Sequence, residues 1–254
     1  MPGPSIYLPH PALAPFIEKY TVNEIAKDHV SRVIPDLSVV MGFQFSGDLS
    51  LSETSYDTHL DRLCLTGMGS RYRLFKNSPG FGIILVYFKP VGASLFFRVP
   101  LHSFFQSSVS LRAFDQGKDL DETEDKMAFA KNHQQRIAII DQFFLRRLEL
   151  ARDDRLVSYA TDVIKSHNGN IRIKTLSSEL CLSQSRLEKR FRSVVGCSPK
   201  KYCTIVRLRS VATGLTKSTT FTQASIDSGH YDQAHFTKSF KCFTGMTPKD
   251  YLRS

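Results

Sequence analysis

Two stretches near the end of the chain carry polar side chains at a repeated spacing: SQSRLEKRFRSVVGCSPKKY (183–202) and DQAHFTKSFKCFTGMTPKDY (232–251). Residues 49 apart match in type: Leu187 with Phe236, Phe191 with Phe240, Gly196 with Gly245, Ser198 with Thr247, Pro199 with Pro248, and Tyr202 with Tyr251. So many matches at one offset mark an internal repeat. Around the apolar matches stand Gln184, Ser185, Arg186, Glu188, Lys189 and Arg192 in the first copy. The second copy offers Gln233, Ala234, His235, Thr237, Lys238 and Lys241. Such side chains suit the edges of base pairs. Arg and Lys donate to guanine, Gln pairs with adenine, and an Ala methyl packs on the thymine methyl.

The elements that must hold these groups can be read from the same residues. Ser183 or Asp232 is a good N-cap, accepting from the first free amides of a helix. Leu187 and Phe191, like Phe236 and Phe240, form an i, i+4 apolar stripe, extended by Val194 or Val195 in one copy and Phe243 in the other. Gly196 or Gly245 ends the helix, and the proline three residues on begins the next. A short helix precedes each cap, KTLSSEL (174–180) and TQASIDS (222–228). Helix, tight turn and helix with a basic outer face is the helix-turn-helix pattern, whose second helix enters the major groove by its N-terminal half.

Charge agrees with this placement. Of the net +10, residues 155–254 hold 17 Lys+Arg against 6 Asp+Glu, a net of +11, and residues 1–154 hold 17 against 18, a net of −1. All the excess lies in the segment with the repeat, which favours a polyanionic partner, double-stranded DNA. A hydrophobic fraction of 41% with 23% charged residues excludes a disordered or collagen-like chain. No apolar run approaches the roughly 20 residues of a membrane helix, and the first residues lack the basic and apolar regions of a signal peptide. Five cysteines with no CxxC pair indicate neither a disulfide frame nor a zinc site. No membrane partner, no metal, no cofactor and a cytoplasmic location are therefore expected. Without HExxH, GxSxG, P-loop or GxGxxG, an enzyme is not expected either, and Cys64 between leucines reads as a core thiol.

The last stretch, GHYDQAHFTKSFKCFTGMTPKDYLR (229–253), resembles the second helix-turn-helix of AraC/XylS family bacterial transcription regulators, which typically reads G-F-x-[DS]-x-S-x-F-x-R-x-F-[KR]-x-x-x-G-x-[ST]-P-x-x-[YF]-R. In that family a long helix joins two such units. Here it would be PKKYCTIVRLRSVATGL (199–215), with Arg207-Leu208 at the usual R-L position. The chain departs from the pattern at His230, in place of Phe, and at Ser177 and Ser225, in place of a small Ala. Gly214 within the joining helix weakens it by roughly 0.5–1 kcal/mol relative to Ala.

The resemblance implies a sequence-specific regulator that places two recognition helices, about 184–195 and 233–244, in successive major grooves of a promoter or operator. It puts base contacts at Ser185, Glu188 and Lys189, and at Gln233, Ala234 and Lys238. Arg186, Arg190 and His235 flank these faces and could serve phosphates or helix packing. Glu188 is unusual, since phosphates repel a carboxylate unless it accepts from cytosine N4. RNA polymerase, an unidentified small-molecule effector and a second copy of the chain enter as candidate partners, with activation the expected action. The alternative is a ligand-independent or non-specific basic DNA-binding protein with a structural N-terminal domain.

The expected fold class is α+β. Residues 1–114 form a mainly β, barrel-like sensor domain, residues 115–153 an acidic linker and helical dimerisation region, and residues 154–254 the all-α double helix-turn-helix domain. RVIPDLSVVMGFQFSG (32–47) and GFGIILVYFKPVG (80–92) read as strand, and SLFFRVPLHSFFQSSVSLR (94–112) continues in short apolar pieces. In QQRIAIIDQFFLRRLELARDDR, Ile137, Ile140, Phe144, Leu148 and Ala151 share one helical stripe. Ile139, Phe143 and Leu150 lie off it, so this helix packs within its chain or on a second subunit. LVSYATDVIKSHNGN (156–170) is a further helix, stopped by Asn168-Gly169.

Overall fold

The computed structural model describes residues 4–52, 56–97, 99–115, 117, 119–148, 154–215 and 233–253. The first part is built on ten strands: β1 (Ser5–Tyr7), β2 (Ile17–Ile25), β3 (His29–Val33), β4 (Val40–Ser46), β5 (Leu49–Ser52), β6 (Asp57–Leu60), β7 (Leu63–Thr66), β8 (Arg73–Asn77), β9 (Phe81–Phe88) and β10 (Ser108–Ser110). They form a six-stranded sheet of order β1-β2-β9-β4-β7-β10 and a four-stranded sheet of order β3-β8-β5-β6. The strand pairs are antiparallel. The stretch 32–47 is thus two strands in two sheets, interrupted where Pro35 withholds a ladder donor.

Alternation gives the larger sheet two apolar faces. Ile84, Val86 and Phe88 of β9, with Met41 and Phe43 of β4, are buried in the helical core. Ile83, Leu85 and Tyr87, with Val40 and Gly42, face a space shared with the smaller sheet. Residues 94–112 are mostly not strand. They make helix α1 (Ala93–Phe96), a 3-10 turn at Leu101–Phe104, the short β10 and a second 3-10 turn at Leu111–Ala113.

The acidic stretch is helical for most of its length, as α2 (Asp119–Phe129), and is followed by α3 (His133–Leu148). Arg147 of α3 pairs with Asp115 at 3.0 Å and with Asp119, while its guanidinium lies 3.7 Å from the Phe143 ring centroid. Burial would raise the Asp119 carboxyl, but hydrogen bonding and charge from Arg147 outweigh it and hold it below the usual range. Phe143 and Phe144 are both fully buried, so α3 packs inside its own chain at these positions. The Phe144 ring sits 4.9 Å from Phe96 and 5.5 Å from Phe88, and the Phe143 ring 5.4 Å from Phe43. Tyr20 of β2 donates its hydroxyl to Asp141 of α3 at 2.7 Å.

The second part is helical: α4 (Arg155–Ser166), α5 (Ile173–Glu179), α6 (Gln184–Val195), α7 (Pro199–Gly214), α8 (Gln233–Thr244) and α9 (Pro248–Tyr251). After α4 the chain turns through Asn168 and Gly169, both at positive φ. The helix expected at 222–228 lies outside the described residues, as do Ser225, His230, Tyr231 and Asp232. One apolar cluster runs from the larger sheet through α3 into α4, α6 and α7, while Val211, Ala212, Phe236 and Phe240 form a second, smaller one. Among the described residues no helix is long and apolar enough to cross a membrane.

Phe144→Ala is expected to remove about 3–5 kcal/mol of stability, because its ring joins the sheet, α1 and α3. Urea unfolding followed by circular dichroism measures this. A loss below about 1 kcal/mol would contradict a core that depends on this ring.

Candidate nucleic-acid interface

Helix α6 begins where Ser183 Oγ accepts from the Arg186 amide at 3.2 Å, and ends at Gly196, whose φ of 99° is a left-handed conformation. Leu187, Phe191 and Val195 point inward; Val194 is only half-buried. Phe191 meets Tyr202 of α7 edge-on at 5.5 Å. That packing leaves Gln184, Ser185, Arg186, Glu188, Lys189 and Arg192 exposed on the outer side. The expected face of the first copy is therefore brought together.

Within it, Arg192 binds Glu188 one turn away, with Nη2 2.9 Å and Nε 3.0 Å from Oε1. The carboxylate that looked misplaced is balanced by its own helix. Arg190 Nε donates to Asp154 at 2.5 Å, and Asp154 also caps α4 through the Val157 amide, so Arg190 ties α6 to the start of α4.

Helix α8 repeats the design. Phe236, Phe240 and Phe243 are fully buried, Ala234, His235, Lys238 and Lys241 are exposed, and Thr237 is half-buried. The helix stops at Gly245 with φ 81°. Thr247 then caps α9 by accepting from the Asp250 amide at 3.3 Å, and Tyr251 of α9 meets Phe240 edge-on at 5.4 Å. The Gln233 side chain lies outside the described residues.

The joining helix α7 starts at Pro199 behind the cap Ser198, whose Oγ accepts from the Lys201 amide at 3.2 Å. Arg207 donates to the Gly169 carbonyl at 2.8 Å, tying α7 to the end of α4. A Cβ at Gly169 would lie 2.4 Å from the Cys203 carbonyl oxygen, so this approach requires glycine.

Contacts with the sheets complete the positioning, and these the local sequence did not single out. Arg209 of α7 donates to the Pro35 carbonyl at 3.1 Å and pairs with Asp36 at 3.3 Å. The Tyr72 amide donates to the Cys242 carbonyl of α8 at 3.3 Å. Arg32 lies over the Tyr72 ring at 5.7 Å, and a Cβ at Gly245 would meet Arg32 Nε at 2.9 Å. Both recognition helices and their connector therefore touch one body. Burial pushes the Cys64 and Cys197 thiols up to about 12 and Cys203 up to about 11, away from thiolate chemistry. Among the described residues no group of three or more His, Cys, Asp or Glu could hold a metal ion.

Residues 176–254 match a family described as a helix-turn-helix domain, and residues 5–110 match one described as a domain of unknown function (DUF6597). The chain is similar to an uncharacterized HTH-type transcriptional regulator of Haemophilus influenzae, 28% identical over 117 residues, covering 46% of this chain and 38% of that protein. It is also similar to the arabinose operon regulatory protein of Escherichia coli, 30% identical over 125 residues, covering 45% of this chain and 42% of that protein. The chain thus spans about two fifths of the length of these curated relatives. A crystal structure of ToxT from Vibrio cholerae aligns over 92% of this chain and 97% of its own, with a TM-score of 0.49 and 15% identity. The helix-turn-helix family thus spans both copies of the repeated helix and the helix that joins them.

Proposed function

We propose that this chain is a sequence-specific DNA-binding transcription regulator that lays α6 and α8 into successive major grooves. The observation that carries the reading is the pair of helices, one on each side of α7, each with a buried Leu/Phe stripe and an exposed polar face. Two such helices on one connector would read sites about 34–36 Å apart, one turn of DNA. Base contacts are assigned to Ser185, Glu188, Lys189, Gln233, Ala234 and Lys238, and phosphate contacts to Arg186 and His235. The relatives named as regulators support this, one of them a regulator of the arabinose operon.

The division into 1–114, 115–153 and 154–254 is our reading of the chain's labour: effector sensing, connection and self-association, and DNA binding. Control by a small molecule would enter through the space between the two sheets, because its wall includes Pro35 and Asp36, which hold Arg209 of α7. RNA polymerase and a second copy of the chain are the candidate protein partners, activation the proposed action, and the cytoplasm the proposed compartment.

Binding of the full chain to a selected duplex, followed by fluorescence anisotropy, should weaken steeply with salt as phosphate counterions are released. Lys238→Ala is expected to cost about 1–3 kcal/mol at the selected site and to relax preference at one base position. Unchanged preference at every position would leave the second unit a backbone clamp. A flat salt dependence would refute DNA binding.

Glu188→Gln should free Arg192 and strengthen binding to all sequences, raising the magnitude of the salt slope by at most about one unit. Binding-site selection with this variant tests the assignment from the other side. Loss of preference at a single cytosine would show that Glu188 reads a base instead of balancing Arg192.

A further inference from the structure

Between the two sheets lies a cavity of about 260 Å³, walled mainly by hydrocarbon from residues such as Leu60, Phe81, Ile83 and Leu85. An apolar cavity of about 150 Å³ suffices for benzene, so this one has room for about ten non-hydrogen atoms. The polar groups of the wall are largely spent on one another. Asn23 Nδ2 donates to Thr21 Oγ1 at 3.3 Å, and Thr66 Oγ1 lies 2.8 Å from Ser108 Oγ. Arg73 is bound into the wall, with its Nη1 donating to Ser108 Oγ at 3.3 Å. Asp36 is engaged from outside by Arg209 at 3.3 Å. Burial pushes the Cys64 thiol up to about 12, so it adds no charge. Arg71 is exposed at the rim, where water screens it.

These commitments select against a charged guest and against one with many hydroxyls. A carboxylate or ammonium would give up its hydration while the charges of the wall stay held by other partners. A sugar or other polyol would turn several hydroxyls onto hydrocarbon, each at a cost that apolar contact does not return. An uncharged ring gives up little hydration and gains contact with the rings of Phe75, Phe81 and Tyr87. Ser31 and Ser38 bring hydroxyls to the wall, which suit a single neutral polar atom. The same wall reaches the DNA-binding helices by two segments. Pro35 and Asp36 line the cavity and hold Arg209 of α7. Gly69, Arg71 and Arg73 line it beside Tyr72, whose amide donates to the Cys242 carbonyl of α8.

We propose that this cavity takes an uncharged, largely hydrocarbon molecule the size of a substituted benzene, and that filling it changes the affinity for duplex DNA. The inference rests on the reading of the chain as a DNA-binding regulator with a sensing front domain, and names the class of molecule sensed. A guest between the sheets bears on residues 33–36 and 69–73 together, and so on both connections to the DNA-binding helices.

Titration calorimetry of the full chain with acetophenone, benzoate, benzylammonium and xylose tests it. The first three share a ring and differ in charge, and the fourth is a polyol of similar size. Acetophenone should bind at least tenfold more tightly than each of the others. Leu85→Trp, which fills the cavity, should weaken acetophenone at least tenfold, whereas Val30→Trp, at an exposed position of β3, should leave it within about twofold. Should Leu85→Trp fail to fold, Leu85→Phe narrows the same space and should weaken acetophenone at least threefold. Saturating acetophenone should change duplex affinity at least threefold, and the duplex should change acetophenone affinity by the same factor. No binding of acetophenone, equal binding of a charged probe, undiminished binding in the Leu85 variants, or duplex affinity untouched by acetophenone would overturn the proposal. If the duplex binds at low salt while acetophenone does not, the effector class is wrong and the regulator reading stands. If the duplex does not bind at all, the regulator reading fails and this inference fails with it.

Discussion

Phe143 and Phe144 of α3 are both fully buried, and through them the sheets and the helices share one apolar core. Adjacent residues on a helix point about 100° apart, so burying both rings requires the helix to be enclosed over a wide arc. The larger sheet supplies Phe43 and Phe88 on one side and α1 supplies Phe96 on another. The same cluster continues into Leu187, Phe191 and Val195 of α6. The first recognition helix is therefore part of the body of the molecule. It cannot shift against the sheets without opening packed apolar surface, at roughly 25 cal/mol for each Å² exposed.

The second recognition helix is held differently. Phe236 and Phe240 pack with Val211 and Ala212 at the end of α7 in a separate small cluster, while Phe243 joins the main core. Among the described residues, its ties to the body include the Tyr72–Cys242 backbone bond and the close approach of Arg32 to Gly245.

The recognition helices were legible because every signal for them is local. Ser183, Leu187, Phe191 and Gly196 lie within four turns of one another, and their cap, stripe and stop follow from spacing alone. The front part was legible only in outline. Residues 94–112 read as short apolar pieces of a mainly β domain, yet their apolar side chains keep no regular period, and they became a short helix, 3-10 turns and one short strand. The two-sided helix 134–151 favoured burial within the chain over a partner by pattern alone, and it took the sheet behind it to bury Phe143 and Phe144. Long-range pairs left no trace at all. Arg209 and Pro35 are 174 residues apart, and nothing in the flanking sequence of either announces the other.

Net charge, read without geometry, overstates what is available to DNA. Of the 17 Lys and Arg in residues 155–254, Arg190 is bound to Asp154, Arg192 to Glu188, Arg207 to Gly169 and Arg209 to Asp36. These four set positions before they could touch phosphate. Three of them tie the joining helix or the first unit to neighbouring elements, so mutating them would disturb geometry and charge together.

Where the ties fall bears on how the front part could govern the back. The outer face of α6 and the described outer residues of α8 are exposed, so the sheets do not act by covering the recognition surfaces. What the sheets do touch is α7, through Arg209, and the end of α8, through Tyr72 and Arg32. With α6 fixed in the core, a displacement of the Pro35–Asp36 segment would turn α7 and carry α8 relative to α6. A duplex presents its successive grooves at a fixed separation, so a small change in that relation alters how many contacts both helices make at once. Under the proposed function, control through the cavity is control of spacing.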